Sequence, residues 1–104
     1  MKLYIDTSKS DEIIVALGEN KVTEPARRDK SQKLLTTIDK LLRDENKNPR
    51  DLTEIEVNRG PGSFTGLRVG LSVANALGWA LGIPVNGNDV KKDGPIVPIY
   101  GNIN

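Results

Sequence analysis

The chain has 104 residues, with 15 Lys and Arg against 14 Asp and Glu, 37% apolar residues and neither His nor Cys. That length predicts one domain or one lobe of a larger fold, too small for an enzyme whose cleft lies between two lobes. The missing imidazole and thiol exclude a His base, a thiolate nucleophile and any Cys/His zinc site, and a net charge of +1 lacks the basic excess of a domain that grips nucleic acid through its phosphates.

At the N-terminus, Leu3-Tyr4-Ile5 and residues 13–17 are apolar runs joined by a polar Ser/Lys/Asp connection, which is the pattern of a β-hairpin. Asp6 comes too early for the apolar core of a signal peptide, and the longest apolar stretch, residues 67–85, is interrupted by Arg68, Asn75 and Pro84. A cytoplasmic protein with no membrane partner is expected. Gly18-Glu19-Asn20 marks a turn, and residues 21–23 make a third short strand that Pro25 stops.

From Ser31 the period changes. Leu34, Leu35, Ile38, Leu41 and Leu42 fall within about 120° of a helical wheel, an ordinary one-faced amphipathic helix. Asp29 and Gln32 have the spacing of a capping box, and Asn48-Pro49 reads as a second, short helical start with Asn48 as its N-cap. Ile55 and Val57 then alternate with Glu56 and Asn58 as a strand, which runs into a glycine-rich turn from Gly60 to Gly66.

The following helix, residues 64–81, places Thr65, Arg68, Ser72, Asn75 and Trp79 in a sector of about 80° and leaves apolar residues and glycine over about 220°. Within that wide arc Gly66, Gly70, Ala74 and Gly78 form an i, i+4 ridge of small residues, flanked by Leu67, Leu71, Val73 and Leu77. Such a ridge admits close approach of another backbone. Burial against the sheet and the first helix, or an interface with another chain, would each use it, and Trp79 favours the interface because Trp is a common anchor there. Gly82-Ile83-Pro84-Val85 reads as helix stop, turn and strand, and residues 93–100 as an extended tail that two prolines keep out of any helix. The order β-β-β-α-β-α-β predicts an α/β domain on a mixed sheet, an antiparallel meander followed by crossover helices.

Two segments could carry chemistry. The glycine turn follows a strand and opens a helix, a geometry that offers backbone N–H groups to an anion. It is no Walker A loop, because Leu67 stands where that motif needs glycine, and the run Gly60-x-Gly62-x-x-x-Gly66 is one residue too long for a dinucleotide fingerprint. A phosphate cradle using Gly60, Gly62, Ser63 and Thr65 and a plain turn capped by Ser63 or Thr65 both fit. Asp6, Thr7 and Ser8, at the end of the first strand, could likewise hold a phosphate or hydrated metal, or close the hairpin as an Asx or Ser/Thr turn. Ser63 has no His to activate it as a nucleophile. Arg27, Arg28, Lys30 and Lys33 make a small basic patch without interleaved aromatics, which reads as a solvated helix start rather than an RNA site.

The run Gly60-Pro61-Gly62-Ser63-Phe64-Thr65-Gly66-Leu67-Arg68-Val69-Gly70 resembles the TsaB (YeaZ) family, whose bacterial members serve threonylcarbamoyladenosine synthesis on tRNA. The likeness extends to residues 3–8, to Arg27-Arg28 with residues 31–35, and to residues 81–85. It implies an actin-like, ASKHA-type lobe over residues 1–86. It further implies a non-catalytic scaffold that supports threonylcarbamoyl transfer by pairing with a TsaD-type paralogue, with TsaE as a further partner. In this reading tRNA is met only indirectly, ATP or ADP binds only in the assembled complex, the isolated chain holds no cofactor or metal, and it forms a homodimer when the paralogue is absent. By that resemblance the interface lies on Leu35 and Leu42 of the first helix. On the second it comprises the ridge residues Gly66, Gly70, Ala74 and Gly78 with Leu67, Leu71, Leu77 and Trp79.

Where the family commonly has His after the Arg pair, Asp29-Lys30 stands here, and residues 87–104 resemble the family's C-terminal segment, through Pro98-Ile99-Tyr100, with the usual second lobe absent between. A reading of a different class is a small phosphate- or nucleotide-binding hydrolase using Asp6 and the Gly60–Gly66 turn.

Overall fold

The computed structural model describes residues 1–99. Strands β1 (Lys2–Asp6), β2 (Glu12–Leu17) and β3 (Asn20–Pro25) form the expected meander, with β1 antiparallel to β2 and β2 to β3. Helix α1 (Lys30–Asp44) and a 3-10 turn at Pro49–Asp51 carry the chain over to β4 (Glu54–Val57), which pairs parallel with β1 in the register Leu3 to Ile55 and Ile5 to Val57. The sheet order is β3-β2-β1-β4. Helix α2 (Phe64–Leu81) and a single helical turn, α3 (Val90–Asp93), complete the described elements.

Period-two alternation sends Leu3, Ile5, Ile13, Val15, Leu17, Ile55 and Val57 to one face of the sheet, where each is buried. The helices meet them with Leu34, Ile38, Leu41 and Leu42 from α1 and Leu67, Leu71 and Ala74 from α2. The other face carries Lys2, Tyr4, Ile14, Ala16 and Glu56, all half-buried or exposed, with an ion pair between Lys2 and Glu56.

Capping follows the sequence in two of three places. Ser63 accepts from the Gly66 N–H at the start of α2, and Asn48 and Asp51 form a reciprocal capping box on the 3-10 turn. Asp29 makes no side-chain cap on α1, contrary to its spacing with Gln32. Gly82 ends α2 with φ of 66°, the left-handed conformation that glycine adopts without Cβ strain.

The strand expected after α2 is reduced to one parallel bridge between Ile55 and Val85. The edge of β4 is nevertheless closed. Ile55 donates to Pro84 O at 2.9 Å and accepts from Asn86 N at 2.8 Å, after which the Asn86 amide serves both backbone groups of Val57, at 2.8 and 3.0 Å. A side chain thus replaces the ladder that a full strand would have supplied, and the sheet edge offers no free pairing there. The tail also departs from expectation, because residues 90–93 are helical before the extended run begins. Of the Pro98-Ile99-Tyr100 motif, Tyr100 lies outside the described residues.

Candidate functional site

Thr7, expected among phosphate ligands, is fully buried where β1 meets α2. Its hydroxyl donates to Gly66 O at 2.5 Å and accepts from Gly70 N at 3.0 Å, the two groups that bond each other in an uninterrupted helix. This contact is what requires glycine on α2. A Cβ at Gly66 would lie 2.3 Å from Thr7 O, and one at Gly70 would lie 2.5 Å from Thr7 Oγ1. Further along, a Cβ at Gly78 would lie 2.4 Å from Val85.

The inward ridge therefore admits the chain's own β1 and Val85. Gly66, Leu67, Gly70, Leu71, Ala74 and Gly78 are buried within this single chain, as is Leu42 of α1. These seven residues, expected on the partner surface, are covered by the chain's own core. Of the remaining three, Leu35 is 52% and Trp79 57% exposed, while Leu77 is half-buried.

The glycine turn and the end of β1 come together as the two motifs suggested, and three of the turn's N–H donors are engaged by protein. Ser63 N donates to Ser8 O at 2.7 Å, Gly66 N to Ser63 Oγ at 3.2 Å, and Gly60 N to Asn58 Oδ1 at 3.0 Å. Gly62 sits so close to Ser8 that a Cβ there would lie 2.7 Å from it. The turn is a joint between the β1–β2 loop and α2, with Ser8 packed against Gly62. Thr65 is exposed at its rim.

Asp6 closes the hairpin by accepting from Ser8 N at 2.9 Å, the Asx-turn geometry. Partial burial pushes its carboxyl pKa up, but hydrogen bonds from the Ser8 hydroxyl and N–H, from Asn58 and from Tyr4 outweigh this and hold it below the ordinary carboxylate value. Tyr4 is shifted upward, first by burial and then by the charge of Asp6.

Lys30 corrects the reading of the basic patch. Arg27 and Arg28 are exposed and Lys33 reaches Glu24 at 3.9 Å, but Lys30 is only 6% exposed and donates to Lys9 O. Burial pushes its ammonium pKa down, with Asp11 pulling the other way. Among the described residues, no group of three or more His, Cys, Asp or Glu side chains is placed to hold a metal, and no helix is long and apolar enough to cross a membrane.

What the sequence missed is the outward edge of α2. Ser72, Ala76 and Ala80 are spaced by four, all exposed, with half-buried Val69 and Val73 beside them. Ser31, at the start of α1, borders a hollow with Val69 and Ser72, so Val69 lies on the side of α2 toward α1. On the far flank stands Trp79, with the Lys91 ammonium 4.8 Å from its ring centroid. The signal was present as spacing, but the inward ridge of glycines, more conspicuous in the sequence, masked it.

A mixed sheet in the order β3-β2-β1-β4, with crossover helices packed on one face, is an actin-like lobe of the ASKHA type. The solved structure of YeaZ from Pseudomonas aeruginosa aligns with it at a TM-score of 0.68 and 29% identity, over 81% of this chain and 41% of that one. Residues 18–88 match the family model described as TsaD: tRNA N6-adenosine threonylcarbamoyltransferase. The chain is 34% identical over 111 aligned residues to the tRNA threonylcarbamoyladenosine biosynthesis protein TsaB of Bacillus subtilis, and 35% identical over 89 to the TsaB protein of Buchnera aphidicola. The matches cover 94% and 82% of this chain respectively. The chain belongs to this family, on its TsaB/YeaZ branch. It spans less than half the length of those relatives, 48% of the first and 42% of the second.

Proposed function

We propose that this chain is a non-catalytic scaffold in tRNA threonylcarbamoyladenosine synthesis, pairing with a TsaD-type paralogue through the exposed faces of α1 and α2. The observation that carries the reading is the outward stripe of Ser72, Ala76 and Ala80 flanked by Val69 and Val73 on α2, with Leu35 exposed on α1, short side chains that let a partner helix approach an apolar surface closely. The same face serves a homodimer when the paralogue is absent. The lack of His and Cys agrees with chemistry residing in the partner. In this reading residues 1–86 are the pairing lobe, tRNA is bound by the complex and not by this chain alone, and TsaE and ATP or ADP join only the assembled complex.

The test is light scattering of the purified chain mixed with a TsaD-type paralogue. A stoichiometric complex is expected, and Ala76→Arg or Leu35→Asp is expected to weaken it at least tenfold while far-UV circular dichroism stays unchanged. Full-strength pairing by both variants would remove this face as the contact. Turnover of ATP with Mg²⁺ by the isolated chain would instead support the hydrolase reading, which the engagement of three of the turn's N–H groups by protein disfavours.

A further inference from the structure

Past α3, the chain lies as a strap along the edge of α2 that does not face α1. Pro95 and Pro98 keep the strap extended and carry no N–H, leaving few backbone groups to satisfy. Four of those groups are met in turn. The Asn75 amide donates to Ile96 O and accepts from Ile96 N, both at 2.9 Å. Arg59 Nε donates to Val97 O at 3.0 Å, and Ile99 N donates to Arg59 O at 2.6 Å. The Ile96 side chain is buried at 5% exposure, whereas Val97 and Ile99 are 55% and 49% exposed.

This is how a peptide groove recognises a ligand, through main-chain hydrogen bonds and one anchoring side chain. Asn75 treats Ile96 as Asn86 treats Val57, with one amide taking both backbone groups of one residue. The contact reaches the glycine turn as well. A Cβ on Gly60 would lie 2.0 Å from Ile99 O, so strap and turn touch backbone to backbone, three residues before the Ser63 cap of α2.

We infer that Asn75 and Arg59 form a peptide-binding groove for an extended, proline-flanked segment with one branched apolar anchor, that residues 95–99 are its resident ligand, and that occupancy of the groove sets the shape of the Gly60–Gly66 turn. Half-exposed Val97 and Ile99 contribute little burial, so four hydrogen bonds and the one core-packed side chain, Ile96, hold the strap. The inference stands independently of pairing with a paralogue.

The experiment uses the full chain and a labelled hexapeptide of residues 94–99. In the unaltered chain, the Ile96 and Ile99 amides are expected to exchange at least tenfold more slowly than in the free peptide. Ile96→Asp expels the anchor, and is expected to remove that protection and shift the amide resonances of residues 60–66. The peptide is then expected to bind the Ile96→Asp chain and restore those resonances, and to fail against the unaltered chain, whose groove is filled. Adding Asn75→Ala to the Ile96→Asp chain is expected to abolish peptide binding. Absence of binding to a folded Ile96→Asp chain, or turn resonances that ignore strap release, would overturn the inference. Should Ile96→Asp not fold, Asn75→Ala alone decides it. That change leaves the anchor in place, and unchanged exchange at Ile96 would sink the proposal, whereas a tenfold acceleration with shifts at residues 60–66 would support it.

Discussion

On the inward edge of α2, Gly66 and Gly70 let a threonine hydroxyl of β1 reach the helix backbone, and Ala74 and Gly78 continue the same close packing toward Val85. On the outward edge, Ser72, Ala76 and Ala80 repeat the four-residue spacing and are exposed among the described residues. The chemistry is similar and the use is opposite. Small residues permit close approach on either edge, and what approaches is decided by where the helix docks on its sheet. A small-residue stripe in a sequence therefore identifies a contact but not the contacting body.

The contrast is broken most severely at Gly70. Gly70→Leu places its first carbon within 2.5 Å of Thr7 Oγ1, and is expected to cost about 3 kcal/mol or more through overpacking, read as a lowered urea midpoint. Ala76→Arg, on the other edge, is expected to change stability by no more than about 0.5 kcal/mol while weakening the pairing described above at least tenfold. Equal effects of the two on stability would erase the distinction between the edges.

A smaller effect tests the joint itself. Thr7→Val keeps the shape but removes the hydroxyl, and because Gly66 O and Gly70 N can then bond each other, the expected loss is about 1 kcal/mol by denaturant titration. The smallest effect is at Asp6. Its pKa is depressed in the folded chain, so the unfolded chain binds the proton more readily as pH falls through the acid range. The stability Asp6 contributes is therefore present above its unfolded pKa and lost as pH drops through the folded one. Asp6→Asn is expected to flatten this part of the acid-unfolding curve, compared by circular dichroism with the unaltered chain.

Most elements were legible because each rests on local physics. Alternation set β1 and β2, the leucine period set α1, and Ser63 and Gly82 capped α2 as their types dictate. The failures share a cause as well. Asp29 has a capping residue's identity without its geometry, and the strand expected around Val85 gave way to an asparagine amide from the next residue, a substitution visible only once β4 lies beside it. The candidate site was less legible. The seven buried residues of the expected interface were placed there by spacing and resemblance, neither of which distinguishes a surface offered to a partner from one spent on the chain's own sheet. Lys30 reads as one cation among four, yet its ammonium is tied to Lys9 O by a hairpin 21 residues away.

By itself the sequence determined most of the element types, their order and the family, because propensity, capping and the Gly60–Gly70 run are properties of neighbouring residues. The tertiary structure alone decided three things. It turned the glycine ridge inward, packed Ser8 against Gly62 of the glycine turn, and laid residues 95–99 along Asn75. Each depends on groups far apart in sequence, separated by 59 residues for Thr7 and Gly66 and by 21 for Asn75 and Ile96, whose meeting is fixed only when sheet and helices pack together.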